Sequence, residues 1–476
     1  MVSFLITCAY TSRVNSPNST SSTVMFGVQD VLRLIAFVGT AAGLIMTKIQ
    51  IRATDFHVDM IIYRAGAQAF LENRPLYFQA FSAGDLGLPF IYPPFGALIL
   101  GPLAKPEWIT DEDAAAFVVM LSSLGMLLCL YLVASALLNR DASALKEAVT
   151  NGASISMNSG RLVPFTVAAV LWPLALLSEP VWLNSQFAQI NVVVMTLVVL
   201  DLMPRQRRIP QGWLIGVAAA IKLTPLVMLL YFVVRKEWRG IASAGVSAVV
   251  MTAIGAAFSW SRTQEFYTRV LFQMGSGGDF GVNSSYTSNS SIHAFLERWW
   301  SSKDRMLAHQ HTISLWWLAL SLITIAIVFF LMRALVRRGY NVESVMLNSA
   351  LMLLVSPVSW SHHWVWIPLW IAVLLWHWRT ATTVHGRRAF AVTSLALSAL
   401  VLFEPPKWWF GDGVNVWELE VWKKIVVNDY TISAYLLFVF VFVALRFRQA
   451  HTHDAHPHSL SAHAAPPSLR MWENLR

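Results

Sequence analysis

The stretch that decides the fold class is AAAFVVMLSSLGMLLCLYLVASALL, running from Ala114 to Leu138. It holds no charged side chain and exceeds the ~20 residues an α-helix needs to cross the hydrocarbon core of a bilayer. Comparable apolar runs recur near 26–49, 162–182, 187–203, 240–260, 313–335, 344–358, 362–378, 388–403 and 431–446. Across 476 residues, 56% are hydrophobic and 13% charged, with a mean hydropathy of +0.54. So few charges cannot clothe a water-soluble surface. The composition predicts an all-α polytopic membrane protein whose first partner is the lipid bilayer. The 21 tryptophans agree, because an indole ring with one N–H donor suits the water–lipid boundary.

Two apolar runs depart from a simple span. Pro93–Ala104 follows Tyr92-Pro93-Pro94 and is too short to cross, which suits a re-entrant segment. Trp213–Val234 is interrupted by Lys222-Leu223-Thr224-Pro225, and a proline there removes a backbone donor and breaks the helix. Basic clusters orient the stack. Arg140/Lys146/Arg161, Arg205/Arg207/Arg208, Arg235/Lys236/Arg239, Arg333/Arg337/Arg338, Arg379/Arg387/Arg388 and Arg446/Arg448 are expected to be cytoplasmic. Both flanks of 213–234 are basic, so that run should enter and return as two short helices with Lys222 near the outer turn. Counting it as two gives about twelve transmembrane helices with both termini cytoplasmic.

The net charge of +9 is spent in these clusters, which argues against nucleic acid as a partner. Cys8 and Cys129 are the only cysteines, so neither a disulfide scaffold nor a cysteine metal site is expected. Residues 1–25 read as a disordered leader with Met25 as a plausible start. Residues 448–476 read as a disordered His-rich tail, and 26–447 as the membrane domain.

In this orientation the loops 50–92, 261–312 and 404–430 face outward as extracytoplasmic, juxtamembrane elements. Long ordered loops beside a bundle are where sites are built. Asp59, in Phe56-His57-Val58-Asp59, precedes Tyr63, Ala67, Phe70 and Leu71 at helical spacing. It fits a helix N-cap, and equally a base that takes a proton from a substrate hydroxyl; Asp55 competes for the second role. His57, Arg64 and Arg74 gather cations opposite this carboxylate, as an anionic substrate or a headgroup surface would require.

Lys222 lies between apolar helices, where an ammonium must snorkel or serve a site. Gln186, Gln189 and Asn191 add polar groups near the outer start of another span, for helix–helix bonding or for a ligand. Ser359-Trp360-Ser361-His362-His363-Trp364 fills a tight outward connection. Two adjacent histidines there suit a phosphate or a sugar better than a metal, for which no further ligand set is apparent. The loop 274–293, with Asn289 in a Ser/Asn/Thr run, has the composition to wrap a sugar. It lacks the Gly-Lys-Ser/Thr of a nucleotide loop. In 404–430, the spacing of Val414, Trp417, Val421 and Ile425 predicts an interfacial helix.

Six motifs occur together in order: Val58-Asp59 with Tyr63; Arg74-Pro75-Leu76-Tyr77; Tyr92-Pro93-Pro94-Phe95; Ala188-Gln189-Ile190-Asn191; Ile221-Lys222-Leu223-Thr224-Pro225; and Ser359-Trp360-Ser361-His362-His363. Over about residues 26–446 the chain resembles glycosyltransferase family 87, the polytopic mannosyltransferases of actinobacteria. Ala188 stands where that family more often has Gly. The resemblance implies a GT-C-type fold in the plasma membrane and a polyprenyl-phosphate-mannose donor. The acceptor would be a mannosylated glycolipid, phosphatidylinositol mannoside or lipomannan, extended through an inverting α-(1→2) link on the extracytoplasmic side. It implies Asp59 as the general base, and Arg64, Lys222, His362 and His363 around the donor phosphate. His57, Tyr63, Gln189, Asn191 and Asn289 would meet the sugar or acceptor, with no metal or other cofactor. A lipid-linked sugar transporter or flippase, or an enzyme using another polyprenyl-phosphate sugar, is the competing expectation.

Overall fold

A computed structural model describes residues 27–53, 57–106, 108–148, 159–203, 207–274 and 283–453. The expected leader and most of the expected tail lie outside the described residues, as does Asp55. The elements run α1 (Val28–Arg52), α2 (Val58–Leu71), a hairpin β1 (Ala80–Ala83) and β2 (Leu86–Pro89), α3 (Pro94–Ala104), α4 (Asp111–Ala148) and α5 (Ser159–Leu177). Then come α6 (Glu179–Gln186), α7 (Asn191–Leu202), α8 (Trp213–Ile221), α9 (Leu230–Arg235), α10 (Trp238–Phe258), α11 (Trp260–Glu265), α12 (Leu271–Met274), α13 (Ile292–Glu297) and α14 (Lys303–Ala308). The chain closes with α15 (Gln310–Val336), α16 (Asn341–Val355), α17 (Ile367–Thr380), α18 (Val384–Leu402), α19 (Val421–Val426) and α20 (Asp429–His453). The last helix therefore continues past 447, where the tail was expected to begin.

Among the described residues six helices are long and apolar enough to cross a membrane, and α5 with α6, bent by 67°, makes a seventh if the pair is one span. Four shorter apolar helices accompany them: Pro94–Ala104, Asn191–Leu202, Thr224–Arg235 and Asn341–Val355. The protein is thus a mostly helical polytopic membrane protein. The short pieces have local causes. The run 187–203 yields a helix only from Asn191, because Ala188 sits at φ 50° in the left-handed region. The run 213–234 breaks at Lys222, whose backbone is extended, before a 3₁₀ turn over Thr224–Leu229 that opens with Pro225.

That broken run turns back on itself, as both basic flanks require. Ser247 Oγ of α10 donates to Trp213 O at the start of α8 (2.7 Å). A Cβ on Gly212, itself at φ +95°, would stand 2.0 Å from Gly240 O. The start of α8 and the start of α10 therefore lie side by side, with Lys222 at the far end of the excursion. The β-hairpin was not foreseen by an all-α reading. Gly84 at positive φ (57°) makes the two-residue Gly84-Asp85 turn, and Ala83 pairs with Leu86.

The arginines collect at one end of the bundle. Arg140 bonds Glu343, Arg235 Nη1 donates to Asn341 Oδ1 (2.5 Å), and Arg338 reaches Leu445 O (3.2 Å). From Asn341 at that end, α16 climbs to Val355, and the turn carrying His362 and His363 follows at the opposite end. The candidate site lies there.

Candidate active site

Asp59 is set by α2, whose buried face carries Met60, Tyr63, Ala67 and Phe70 at helical spacing. The helix starts at Val58, with His57 as its N-cap residue, so Asp59 sits inside the first turn and does not cap it. His57 instead ties the helix start to α6, its Nδ1 lying 2.9 Å from Gln186 O. Burial of the Asp59 carboxyl pushes its pKa up to about 6. A hydrogen bond from Gln189 and the charge of Lys222 oppose the shift without cancelling it.

Gln189 is the hub. Its Oε1 accepts from Tyr63 OH (2.5 Å) and from Tyr92 OH (3.3 Å), and the two phenols lie 2.6 Å apart. Ala188 is forced to positive φ so that Gln189 can turn inward after α6, a conformation a glycine would adopt without strain. Tyr92 precedes Pro93, the N-cap residue of α3, and its ring centre lies 5.5 Å from Lys222 Nζ. Lys222 Nζ donates to Asn191 Oδ1 (2.7 Å) and approaches His363 Nε2 (3.2 Å), while Asn191 Nδ2 donates to His362 O (3.0 Å). His362 is 6% exposed, and neither ring nitrogen has a partner among the described residues. Burial, with the nearby Lys222 charge, lowers its pKa to about 3, so the ring is a neutral donor and acceptor.

Asp59, His57, Tyr63, Tyr92, Gln189, Asn191, Lys222, His362 and His363 thus form one continuous polar seam drawn from five segments. A pocket opens beside it, with Asn191, Lys222, Ser356, Ser359 and His363 in its lining. A carboxylate able to accept a proton stands at one end, a cation and two neutral imidazoles at the other. That pairing suits attack by a hydroxyl and departure of an anion.

A second polar cluster, not anticipated from the sequence, clamps the histidine turn. Glu179 accepts from Ser361 Oγ (2.6 Å), Trp408 Nε1 (2.9 Å) and Tyr430 OH (2.6 Å). Lys407, fully buried, donates to Ser361 Oγ (3.1 Å), pairs with Asp429 (3.1 Å) and lies over the Tyr430 ring. The sequence signals were faint: an acid beside Pro180 at the outer end of a span, and a lysine beside two tryptophans. Tyr92 was visible only as part of a motif.

Three expectations are corrected by placement. Arg64 does not join the seam. Its guanidinium pairs with Asp111 and donates to Leu103 O (2.9 Å) and Ile109 O (2.5 Å), bracing the entry to α4. Asn289 does not face a sugar. It is fully buried, and its Oδ1 accepts from Ser359 N (2.8 Å) and Ser291 N (3.3 Å) while Nδ2 donates to Ser284 O (2.8 Å). Ser285, Thr287, Ser288, Ser290 and Ser291 are buried with it, packed under the histidine turn; residues 275–282 of that loop lie outside the described residues. The interfacial helix expected over 414–425 is confined to Val421–Val426. Gly411 and Gly413 take positive φ, and Asn415 bonds Trp417 N and Glu418, which holds the preceding segment in turns.

Comparison with known proteins agrees with this geometry. A family model described as glycosyltransferase family 87 matches residues 90–357. A "polyprenol-phosphate-mannose-dependent alpha-(1-2)-phosphatidylinositol mannoside mannosyltransferase" of Mycobacterium tuberculosis is 33% identical, over 73% of this chain and 76% of its own length. A protein of the same description from Mycolicibacterium smegmatis is 32% identical over 73% of this chain and 74% of its own. A "pentamannoside" mannosyltransferase of M. smegmatis is 27% identical over 80% of this chain and 85% of its own. With a family model covering more than half of it and relatives this close over most of its length, the chain belongs to glycosyltransferase family 87.

Proposed function

We propose that the protein moves mannose from polyprenyl-phosphate-mannose to a phosphatidylinositol mannoside or related glycolipid, forming an α-(1→2) link. The observation that carries the reading is the seam itself, a partly buried carboxylate facing Lys222 and two histidines. Asp59 takes the proton of the acceptor hydroxyl. The acceptor oxygen then bonds to the anomeric carbon as the bond from that carbon to the phosphate oxygen breaks. The electron pair leaves on the polyprenyl phosphate, whose growing charge meets Lys222, held in place by His363, and the His362 N–H. Attack opposite the leaving group inverts the anomeric centre, so a β-linked donor gives an α-linked product. His57, Tyr63, Gln189 and Asn191 hold the carboxylate and the lysine at fixed separation, and sugar hydroxyls would share their hydrogen bonds.

The fold is read as GT-C-type with about twelve crossings, the short apolar helices supplying those beyond the six or seven long ones. The arginine-rich end supports an orientation with that end and both termini cytoplasmic and the seam extracytoplasmic in the plasma membrane. Radiolabelled mannose transfer from polyprenyl-phosphate-mannose to purified phosphatidylinositol mannosides, by the reconstituted protein, tests the reading. Product carrying one more α-(1→2) mannose supports it. Movement of the donor across the bilayer without any transfer would favour a transporter and overturn it.

A further inference from the structure

A second pocket, open on one side, lies at the arginine-bearing end of the bundle, at the other end of α16 from the histidine turn. Residues of five helices, α15 to α18 and α20, line it. Glu343, His377 and Leu445 stand at its mouth, and Trp370 and Leu437 at its inner end. From Leu445 to Leu437 the helix rises ~12 Å, so the cavity is deep enough for a stretch of hydrocarbon chain. Its inner wall is wholly apolar.

The mouth is different. Glu343, 6% exposed, accepts Arg140 Nη1 and His377 Nε2 on Oε1, both at 2.7 Å, while Oε2 has no hydrogen-bond partner among the described residues. A buried carboxylate oxygen without a donor is costly, and this one belongs to a side chain lining the cavity. Arginines follow its lining residues in the sequence. Leu335, His377 and Leu445 line the cavity, and each is followed within three residues by arginine: Arg337 and Arg338, Arg379, and Arg446.

We propose that this cavity binds an anionic phospholipid whose head group carries hydroxyls, drawn from the leaflet at the arginine-bearing end. One acyl chain lies along the apolar wall, the phosphate meets the arginine rim, and a head-group hydroxyl donates to Glu343 Oε2. Charge and hydrogen bonding select this occupant together. A zwitterionic amine lipid brings a further cation to a rim that is already basic. A polyprenyl phosphate brings charge and chain but no hydroxyl for Glu343. The inference uses only the cavity and its rim and does not rest on the transferase reading.

Native mass spectrometry of the purified full-length protein, titrated with phosphatidylglycerol, tests it. The wild type should hold one phosphatidylglycerol at least about ten-fold more tightly than phosphatidylethanolamine or a polyprenyl phosphate. Ala444→Phe at the mouth and Leu374→Trp in the wall, each checked for a monodisperse folded peak, should weaken that binding at least about ten-fold. Equal affinity of the wild type for the three lipids overturns the proposal, and so does wild-type binding in either folded variant. The wild-type comparison decides even where a variant does not fold.

Discussion

Lys222 Nζ lies 3.2 Å from His363 Nε2, and the lysine is the donor of that pair. The histidine ring also bonds the Val358 backbone, while burial and the adjacent ammonium hold its pKa well below the usual range. A neutral ring with its other nitrogen engaged leaves Nε2 free to accept. With Asn191 Oδ1 as its second acceptor, the ammonium is held at one point beneath Tyr92. Lys222→Met keeps the chain length and removes the charge. It should lower kcat/KM for mannosyl transfer by roughly 10²–10³-fold, the loss typical of one donor to a developing anion. Wild-type kinetics would remove Lys222 from the phosphate site.

Asp59→Asn should abolish most transfer, by at least about 10²-fold in kcat, while the protein stays folded and still binds donor. Stability should not fall. A carboxyl whose folded pKa is raised from 3.8 to about 6 stabilises the fold fully below pH 3.8, and loses that contribution as pH rises through 6. At pH 7 the ionised Asp59 costs the folded state on the order of 3 kcal/mol relative to its protonated form. An amide escapes that cost, so thermal unfolding in detergent should occur at an equal or higher temperature. A purified Asp59→Asn protein with full activity would refute the base.

The same shift sets a pH profile. The base form of Asp59 is populated above about 6, while burial lowers the Lys222 pKa to about 7, so kcat/KM should rise through pH 6 and fall again as the ammonium loses its charge above 7. The donor is a phosphodiester that stays a monoanion across this interval, so the profile reports groups of the protein. A flat profile across that interval would detach the carboxyl from the rate-limiting proton transfer.

The membrane class was legible because its signal is bulk composition, and Asp59, Gln189 and Lys222 stood out as polar groups in apolar surroundings. Their meeting was not legible, since it depends on α6 turning at Ala188 and on the chain returning after Lys222. Arg64 and Asn289 misled for a common reason. A cation or an amide in an outward loop reads as available, yet Arg64 bonds the carbonyls of Leu103 and Ile109, and Asn289 bonds the backbone of three residues. Such partners are backbone groups distant in sequence, which residue types do not announce. Glu179 was missed for the converse reason, because its partners Ser361, Trp408 and Tyr430 come from three later segments.

Arg64→Ala separates these roles. The side chain is 17% exposed and its partner Asp111 43% exposed, so solvent screens the pair and its loss should cost about 1 kcal/mol. The midpoint of unfolding should fall by a few degrees while the donor KM stays at the wild-type value. A large rise in donor KM without loss of stability would return Arg64 to the phosphate.

Glu179 acts on the histidines through Ser361 and on Gln189 through α6. The helix is eight residues long, ~12 Å from end to end, with Glu179 at its start and Gln189 just beyond its last residue. Movement at Glu179 therefore displaces both ends of the seam. Glu179→Gln keeps the shape but cannot accept from all three donors as a carboxylate does. It should lower kcat by roughly 10–100-fold with little change in donor KM, since the reacting groups are misplaced while the donor still binds. Ser361→Ala should reproduce part of that loss, and the double variant should lose less than the product of the two. A carboxylate of different length, Glu179→Asp, should restore less than half of the activity, because Trp408 and Tyr430 approach the Glu179 oxygens from fixed positions. Equal falls in kcat and in thermal stability across the three variants would assign Glu179 to folding alone.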